Sequence, residues 1–271
     1  MIRKLSVFIV GWGVICVLLA PVLHTIWVSF SPDSFLTPPT TVWSIKWYLA
    51  FLHDQRWLNA TLRSLMVAGM SAVLAVIAGT PAAWSLRKMS LPHQRLLSLL
   101  FLLPALIPPA TLGFGLLPLV YFTGLWGTTL GMVLVHTAIG LPIVFLIVRS
   151  CVTDQLSELE AAAAGLGASQ WAACRRVTIP LLSPILVAAG IAVFVLSLNE
   201  SLVSIFLATP TNETLPAVTW PQLRYSPNPM VAVASCVTAV VGMSGVLLVL
   251  RLIGLQRGPR LKRINSPLHR I

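Results

Sequence analysis

Charged side chains are scarce in this chain, so the few that interrupt apolar sequence are the first candidates for chemistry. Glu200 is the acid set deepest in an apolar run, with Asn199 beside it, and His136 lies in another such run. A carboxylate at bilayer depth costs roughly 2.5 to 3.5 kcal/mol on insertion scales, so it must face a protein interior or a wet cavity. In a cavity it would attract a cationic amine and repel a phosphonate, with Asn199 supplying a neutral hydrogen bond. The residues alone equally admit an interhelical hydrogen bond or a partner contact for Glu200, and for His136 they favour a polar helix contact over a proton relay.

Catalytic constellations are missing. The seven acids and five histidines form no pair with evident acid and base roles. No lysine follows a glycine, which excludes a phosphate-cradling P-loop, and neither G-x-S-x-G nor H-E-x-x-H occurs. Cys16, Cys151, Cys174 and Cys236 are far apart, as are the histidines, so neither a disulfide nor a metal site is implied. No catalytic and no metal-ligating residue is expected. Work done against a gradient must therefore be energised by another molecule.

The elements that position these residues follow from composition. With 57% apolar and 9% charged residues among 271, the chain lacks the polar surface to coat a soluble globule. Apolar runs at residues 6–31, 60–84, 96–122, 127–149, 183–208 and 230–254 are each long enough to span a bilayer as a helix. This predicts an all-α membrane protein of six transmembrane helices, one domain over residues 1–271, with the first run an uncleaved helix rather than a secretion signal. Placing both termini in the cytoplasm puts 14 of the 18 Lys and Arg residues inside, leaving Lys46, Arg56, Arg63 and Arg224 outside. The formal net charge of +11 is then mostly juxtamembrane, and the basic tail at about 255–271 is expected to meet anionic lipid rather than nucleic acid. Pro104, Pro108, Pro109, Gly113 and Gly115 are expected to interrupt the third span, and Gly140 with Pro142 the fourth. Such breaks suit a solute pathway and also ordinary kinked helices. Trp43, Trp47, Trp57, Trp126 and Trp220 read as interfacial anchors.

One cytoplasmic stretch, about 151–182, is too polar to span. Asp154, Glu158 and Glu160 suit a helix N-terminus and lead into an alanine run, Gly165 and Gly167 permit a turn, and Ser169 is placed to cap a second short helix that Pro180 should end. Alanines and glycines would leave a narrow ridge that another protein's groove can approach closely, with Trp171 as an anchor. The same pattern also suits a connector resting on lipid.

This stretch resembles the cytoplasmic signature of permease subunits of binding-protein-dependent ABC importers, which runs Glu-Ala-Ala, three residues, Gly, nine residues, then hydrophobic-x-hydrophobic-Pro. Gly167, Val177, Ile179 and Pro180 match its spacing, and Gly167-Ala168-Ser169 is typical of it. In that register Ala161, Ala162 and Ala163 occupy the Glu-Ala-Ala positions, and Glu160 stands one residue early, a rotation of about 100° on a helix. Lys46-Trp47-Tyr48, the segment from Trp57 to Leu65, His136-Thr137 with Leu141-Pro142, Ser197 to Glu200, and Thr214-Leu215-Pro216 extend the resemblance over nearly the whole chain. In these details it looks most like the second permease of spermidine/putrescine importers, and iron, phosphonate and thiamine importers share much of the pattern.

The resemblance implies a type I ABC importer permease in a bacterial inner membrane. It implies two copies of an ATP-binding subunit that hold ATP and Mg, a second permease of a different chain, and a periplasmic or extracellular substrate-binding protein. It makes the 160–180 loop the ATPase-coupling element, and leaves Glu200, Asn199 and His136 as candidates for the translocation path. The competing class is a passive channel or secondary transporter, whose usual inverted repeat of broken helices is not evident here.

Overall fold

A computed structural model describes residues 2–39, 41–87 and 89–264. Met1, Thr40, Lys88 and residues 265–271, the end of the basic tail with Arg270, lie outside the described residues. The described residues hold twelve α-helices and no strand. In order these are α1 (Ile2–Val28), α2 (Lys46–His53), α3 (Gln55–Leu86), α4 (Leu91–Leu106), α5 (Pro109–Phe122), α6 (Thr129–Cys151), α7 (Asp154–Gly165), α8 (Gln170–Ala173), α9 (Ile179–Asn199), α10 (Leu202–Leu207), α11 (Leu215–Tyr225) and α12 (Pro229–Ile264).

Five helical stretches among the described residues are individually long and apolar enough to cross a bilayer, and counting the pair α4 and α5, bent by 105°, as one broken span brings the number to six. The bend falls at Ile107-Pro108. Pro108 and Pro109 lack amide hydrogens and disfavour helical backbone in the residue before them, so the helix cannot run through.

The centre of the bundle is α3, α6 and α9. On α3 the buried positions Ser64, Val67, Ala68, Ser71, Ala72, Ala75, Gly79 and Ala83 recur every three or four residues and are mostly small. Lipid gives no hydrophobic drive for helices to meet, so small residues that let backbones approach are what hold them. Gly140 on α6 shows this most sharply, because a Cβ there would collide with the Val193 side chain of α9. The expected break at Gly140 and Pro142 is therefore corrected. α6 runs unbroken, Pro142 is buried within it, and Gly140 serves a close helix crossing.

Three clusters fill the interior. Leu86, Phe145, Val148, Leu156 and Leu182 close the inner end around α3, α6, α7 and α9. Val67, Met132, Val133, Val203 and Leu207 join α3, α6 and α10, and Phe51, Trp57, Leu215, Val218 and Val233 fill the outer end. Trp57 thus packs in the core against Phe51 rather than at a lipid interface, Trp47 is half-buried against the same cluster, and Trp43, Trp126 and Trp220 are exposed.

Two further expectations are overturned by the helix ends. The fifth apolar run is not one helix to residue 208: α9 stops at Asn199, and Glu200 is extended with φ −76° and ψ 101°. Nor does Pro180 end a helix. A π-turn over Cys174–Thr178 joins α8 to α9 into one 30-residue apolar helix from Gln170 to Asn199. The wider π-turn just ahead of Pro180 changes the local register, and the helix continues through a residue that would otherwise break it.

Candidate functional site

The break at Glu200 is built from polar residues. The Glu200 Oε1 accepts from the Leu202 and Val203 amides at 3.1 and 3.2 Å, which caps α10. Its Oε2 makes no hydrogen bond among the described residues, and the side chain is half-buried. His136, 2% exposed, spans the break from α6: its Nδ1 lies 2.7 Å from Ser197 Oγ on α9 and its Nε2 3.3 Å from Ser204 Oγ on α10. The Ser204 hydroxyl donates to the Glu200 carbonyl at 2.6 Å, so Nε2 carries the imidazole hydrogen and Nδ1 accepts from Ser197. His136 is thus a helix-to-helix contact that pins both halves of the broken run.

Beside the break is an open groove of about 270 Å³ between the end of α9, α11 and α12. Asn199 and Ser201 line it, facing Thr219, Trp220, Ser235 and Thr238. Thr219, Ser235 and Thr238 donate their hydroxyl hydrogens to carbonyls four residues back, at 2.7, 2.9 and 3.0 Å, so what they turn outward is acceptor lone pairs. The sequence offered Asn199 as a candidate for a path beside Glu200 but gave no sign of the hydroxyls of α11 and α12. Their back-bonded spacing in apolar helices is ordinary, and only the fold faces them toward Asn199. The three candidates for a path therefore part company: Asn199 lines the groove, Glu200 caps α10 beside it, and His136 is buried behind.

At the opposite end the loop after α6 folds back as α7 and α8. The turn between them is a Schellman motif: the Ala168 amide donates to the Ala163 carbonyl at 3.0 Å and the Gly167 amide to the Ala164 carbonyl at 2.9 Å. This geometry puts Gly167 at φ +86°, a region that favours glycine, whereas Gly165 remains an ordinary helical residue. Ser169 then caps α8 by accepting from the Ala172 amide at 3.2 Å. Ala161, Ala162, Gly167, Ser169 and Trp171 are exposed along the ridge, with Trp171 70% and Leu166 91% open, while Ala163, Ala168 and Val177 are half-buried. Ile179 and Pro180 remain exposed where α9 begins.

Glu160 faces the other way, into the protein. It pairs with Arg87 at the inner end of α3, and accepts from Trp84 Nε1 at 3.0 Å and from the Thr178 hydroxyl of the π-turn. Burial acts to raise its carboxyl, but the hydrogen bonds from Thr178, Arg87 and Trp84, with the guanidinium charge, outweigh this and hold it below the ordinary carboxylate range. The one-residue displacement of Glu160 from the motif position is what turns it inward. Arg87, Trp84 and Thr178 were not visible as its partners, because Arg87 is 73 residues away in sequence.

On the outer face Arg56 and Glu213 form a two-pronged pair, with Nε and Nη2 at 2.8 and 2.7 Å from the carboxylate, tying the start of α3 to the segment before α11. Among the described residues there is no group of three or more His, Cys, Asp or Glu able to hold a metal.

Comparisons with known proteins agree with this architecture. Over 93% of its length the chain superposes on 95% of a permease chain in the crystal structure of a bacterial ABC transporter that imports the acidic polysaccharide alginate, with a TM-score of 0.66 and 16% identity, which establishes the type I importer permease fold. The putrescine transport system permease protein PotI of Escherichia coli (strain K12) is 27% identical, covering 87% of this chain and 89% of the relative. A putative 2-aminoethylphosphonate transport system permease protein, PhnV, of Salmonella paratyphi A is 29% identical over 74% of each chain. The family model described as the binding-protein-dependent transport system inner membrane component matches residues 71–256, and the chain accordingly belongs to that family, as a multi-pass inner-membrane permease subunit of an ABC importer that leaves ATP hydrolysis to a separate subunit.

Proposed function

We propose that this permease forms half of a translocation path for a small organic cation, with a polyamine such as putrescine or spermidine as its cargo. The observation that carries this reading is the Glu200 carboxylate at the helix break: one oxygen caps α10, the other makes no hydrogen bond among the described residues, and the flanking Asn199 and Ser201 line a largely apolar groove that also holds the hydroxyls of Thr219, Ser235 and Thr238. Acceptors and an unneutralised acid suit a solute that arrives as a hydrogen-bond donor and a cation. Similarity to a putrescine permease is consistent with it, and similarity to a phosphonate permease sets the alternative.

In this reading residues 1–271 work as one membrane domain, and the ridge from Ala161 to Trp171 docks on one of two ATP-binding subunits, which hold ATP and Mg. A second permease of a different chain faces the groove, and a binding protein delivers the cargo from outside. The test is to extract the tagged protein in mild detergent, identify what co-purifies, and measure binding of polyamines and of 2-aminoethylphosphonate to the binding protein encoded with it. Recovery of an ATPase, a second permease and a polyamine-binding partner supports the proposal. A partner that binds only the phosphonate overturns the cargo.

A further inference from the structure

Three elements that are distant in the chain meet at the Glu160 carboxylate. From α3 comes the Trp84 indole and from its C-cap the Arg87 guanidinium, from the π-turn that leads into α9 comes Thr178, and Glu160 itself belongs to α7. Arg87 extends the junction, donating to Ser157 Oγ on α7 at 3.1 Å and lying 5.1 Å from the centre of the Trp84 ring. The paired side chains are only 15% and 14% exposed, so solvent screens them little and removing one leaves the other stranded. Both carboxylate oxygens are occupied from within the chain, Oε1 by Trp84 and Thr178 and Oε2 by Arg87.

The mechanical setting gives this junction a role. α7 is joined to α6 only through Val152-Thr153, and to α8 only through the Gly167 turn. Force on α8 passes along the continuous helix into α9, whereas force on the α7 side of the ridge would be taken up by rotation at those two joints unless a stiff link carried it to α3 and the π-turn. Leu156 packs non-directionally in the inner core, whereas the charge-assisted bonds to α3 and to the π-turn fix direction.

We propose that Glu160 is the fulcrum of this importer, a positioning residue that transmits movement of the α7–α8 ridge to α3 and α9 through Arg87, Trp84 and Thr178, and that it is used inside this chain rather than on the ATPase. The proposal rests on the importer reading, and deepens it by naming the link between the docking ridge and the spans. A junction that merely supports the fold would lower the yield of assembled complex and leave coupling per complex unchanged.

The experiment is to reconstitute the complete complex with its ATPase, second permease and binding protein in lipid nanodiscs, and to measure ATP hydrolysis with and without loaded binding protein, per assembled complex. Wild type sets the stimulation ratio. For Glu160→Gln that ratio falls at least about fivefold, toward one, while Glu160→Asp recovers part of it. Thr178→Val, which strands no buried charge, lowers it by a smaller factor and decides the matter if Glu160→Gln fails to assemble. A stimulation ratio equal to wild type in Glu160→Gln, or in Thr178→Val where the former does not assemble, overturns the fulcrum while leaving the importer reading intact. A wild-type protein that recruits no ATPase overturns both.

Discussion

Glu200 carries two demands that a substitution can separate. As a cap it needs only an acceptor oxygen for the Leu202 and Val203 amides, which glutamine also provides, so Glu200→Gln should change stability by less than about 1 kcal/mol. As a cation attractor it needs the charge, and the same variant should raise the KM for polyamine uptake while uptake of a neutral solute, where measurable, stays as it was. An unchanged KM in a properly assembled complex would assign Glu200 to capping alone. Glu160 is testable by pH. Its folded-state carboxyl lies below the unfolded value of 4.5, so the stability it contributes is fully present above that pH and is lost as pH falls through the lower folded value. The difference in thermal unfolding midpoint between wild type and Glu160→Gln should thus be constant from about pH 7 to 5 and shrink below 4.5; a difference that persists unchanged in acid would mean that the pair is not what stabilises the junction.

Helix crossings and turns show where single atoms decide whole elements. Gly140 meets Val193 where α6 crosses α9, so Gly140→Ala should destabilise by about 1 to 3 kcal/mol through overpacking, and Val193→Ala should relieve much of that in the double variant. Additive losses in that cycle, measured by detergent unfolding, would place the two residues out of contact. In the turn between α7 and α8, Gly167→Ala imposes a left-handed cost of about 1 kcal/mol, and Gly167→Asp adds a charge to the ridge proposed to dock the ATPase, so ATPase co-purification should fall in the order wild type, Ala, Asp. The spans themselves were legible in the sequence, because lipid demands long apolar helices and the Pro108-Pro109 pair announces a bend. The end of α9 was not, because Ser197 to Ser204 contains neither Gly nor Pro. Its signal is chemical: Asn199, Glu200 and Ser201 in a row supply a cap where an apolar run would otherwise continue. The π-turn before Pro180 was equally hidden, since proline reads as a stop unless the preceding turn widens. The ridge was legible from Gly167 and Ser169, whereas the inward partner of Glu160 depended on the packing of α3 against α7.

The molecule as a whole is one subunit of an ABC importer. α6 is the most enclosed of the five single-helix spans, with 56% of its apolar window buried, while that of α1 has none, and the groove beside Glu200 is open. In the proposed reading a second permease closes that groove, because a polar solute passing along it would otherwise meet lipid. The sequence carries no P-loop and ATP hydrolysis belongs to a separate subunit, which makes directionality a property of the assembly. These two facts separate an importer from a secondary transporter in one measurement. In sealed proteoliposomes holding the complete complex, uptake of the cargo should require ATP on the ridge side and loaded binding protein on the groove side. It should be insensitive to collapse of the membrane potential beyond the small effect expected of a charged solute, and absent when this permease is reconstituted alone. Uptake that proceeds without ATP and follows an imposed ion gradient would instead mean that the spans move without being driven through α7 and α8, and the cytoplasmic ridge would lose its role as the point where energy enters.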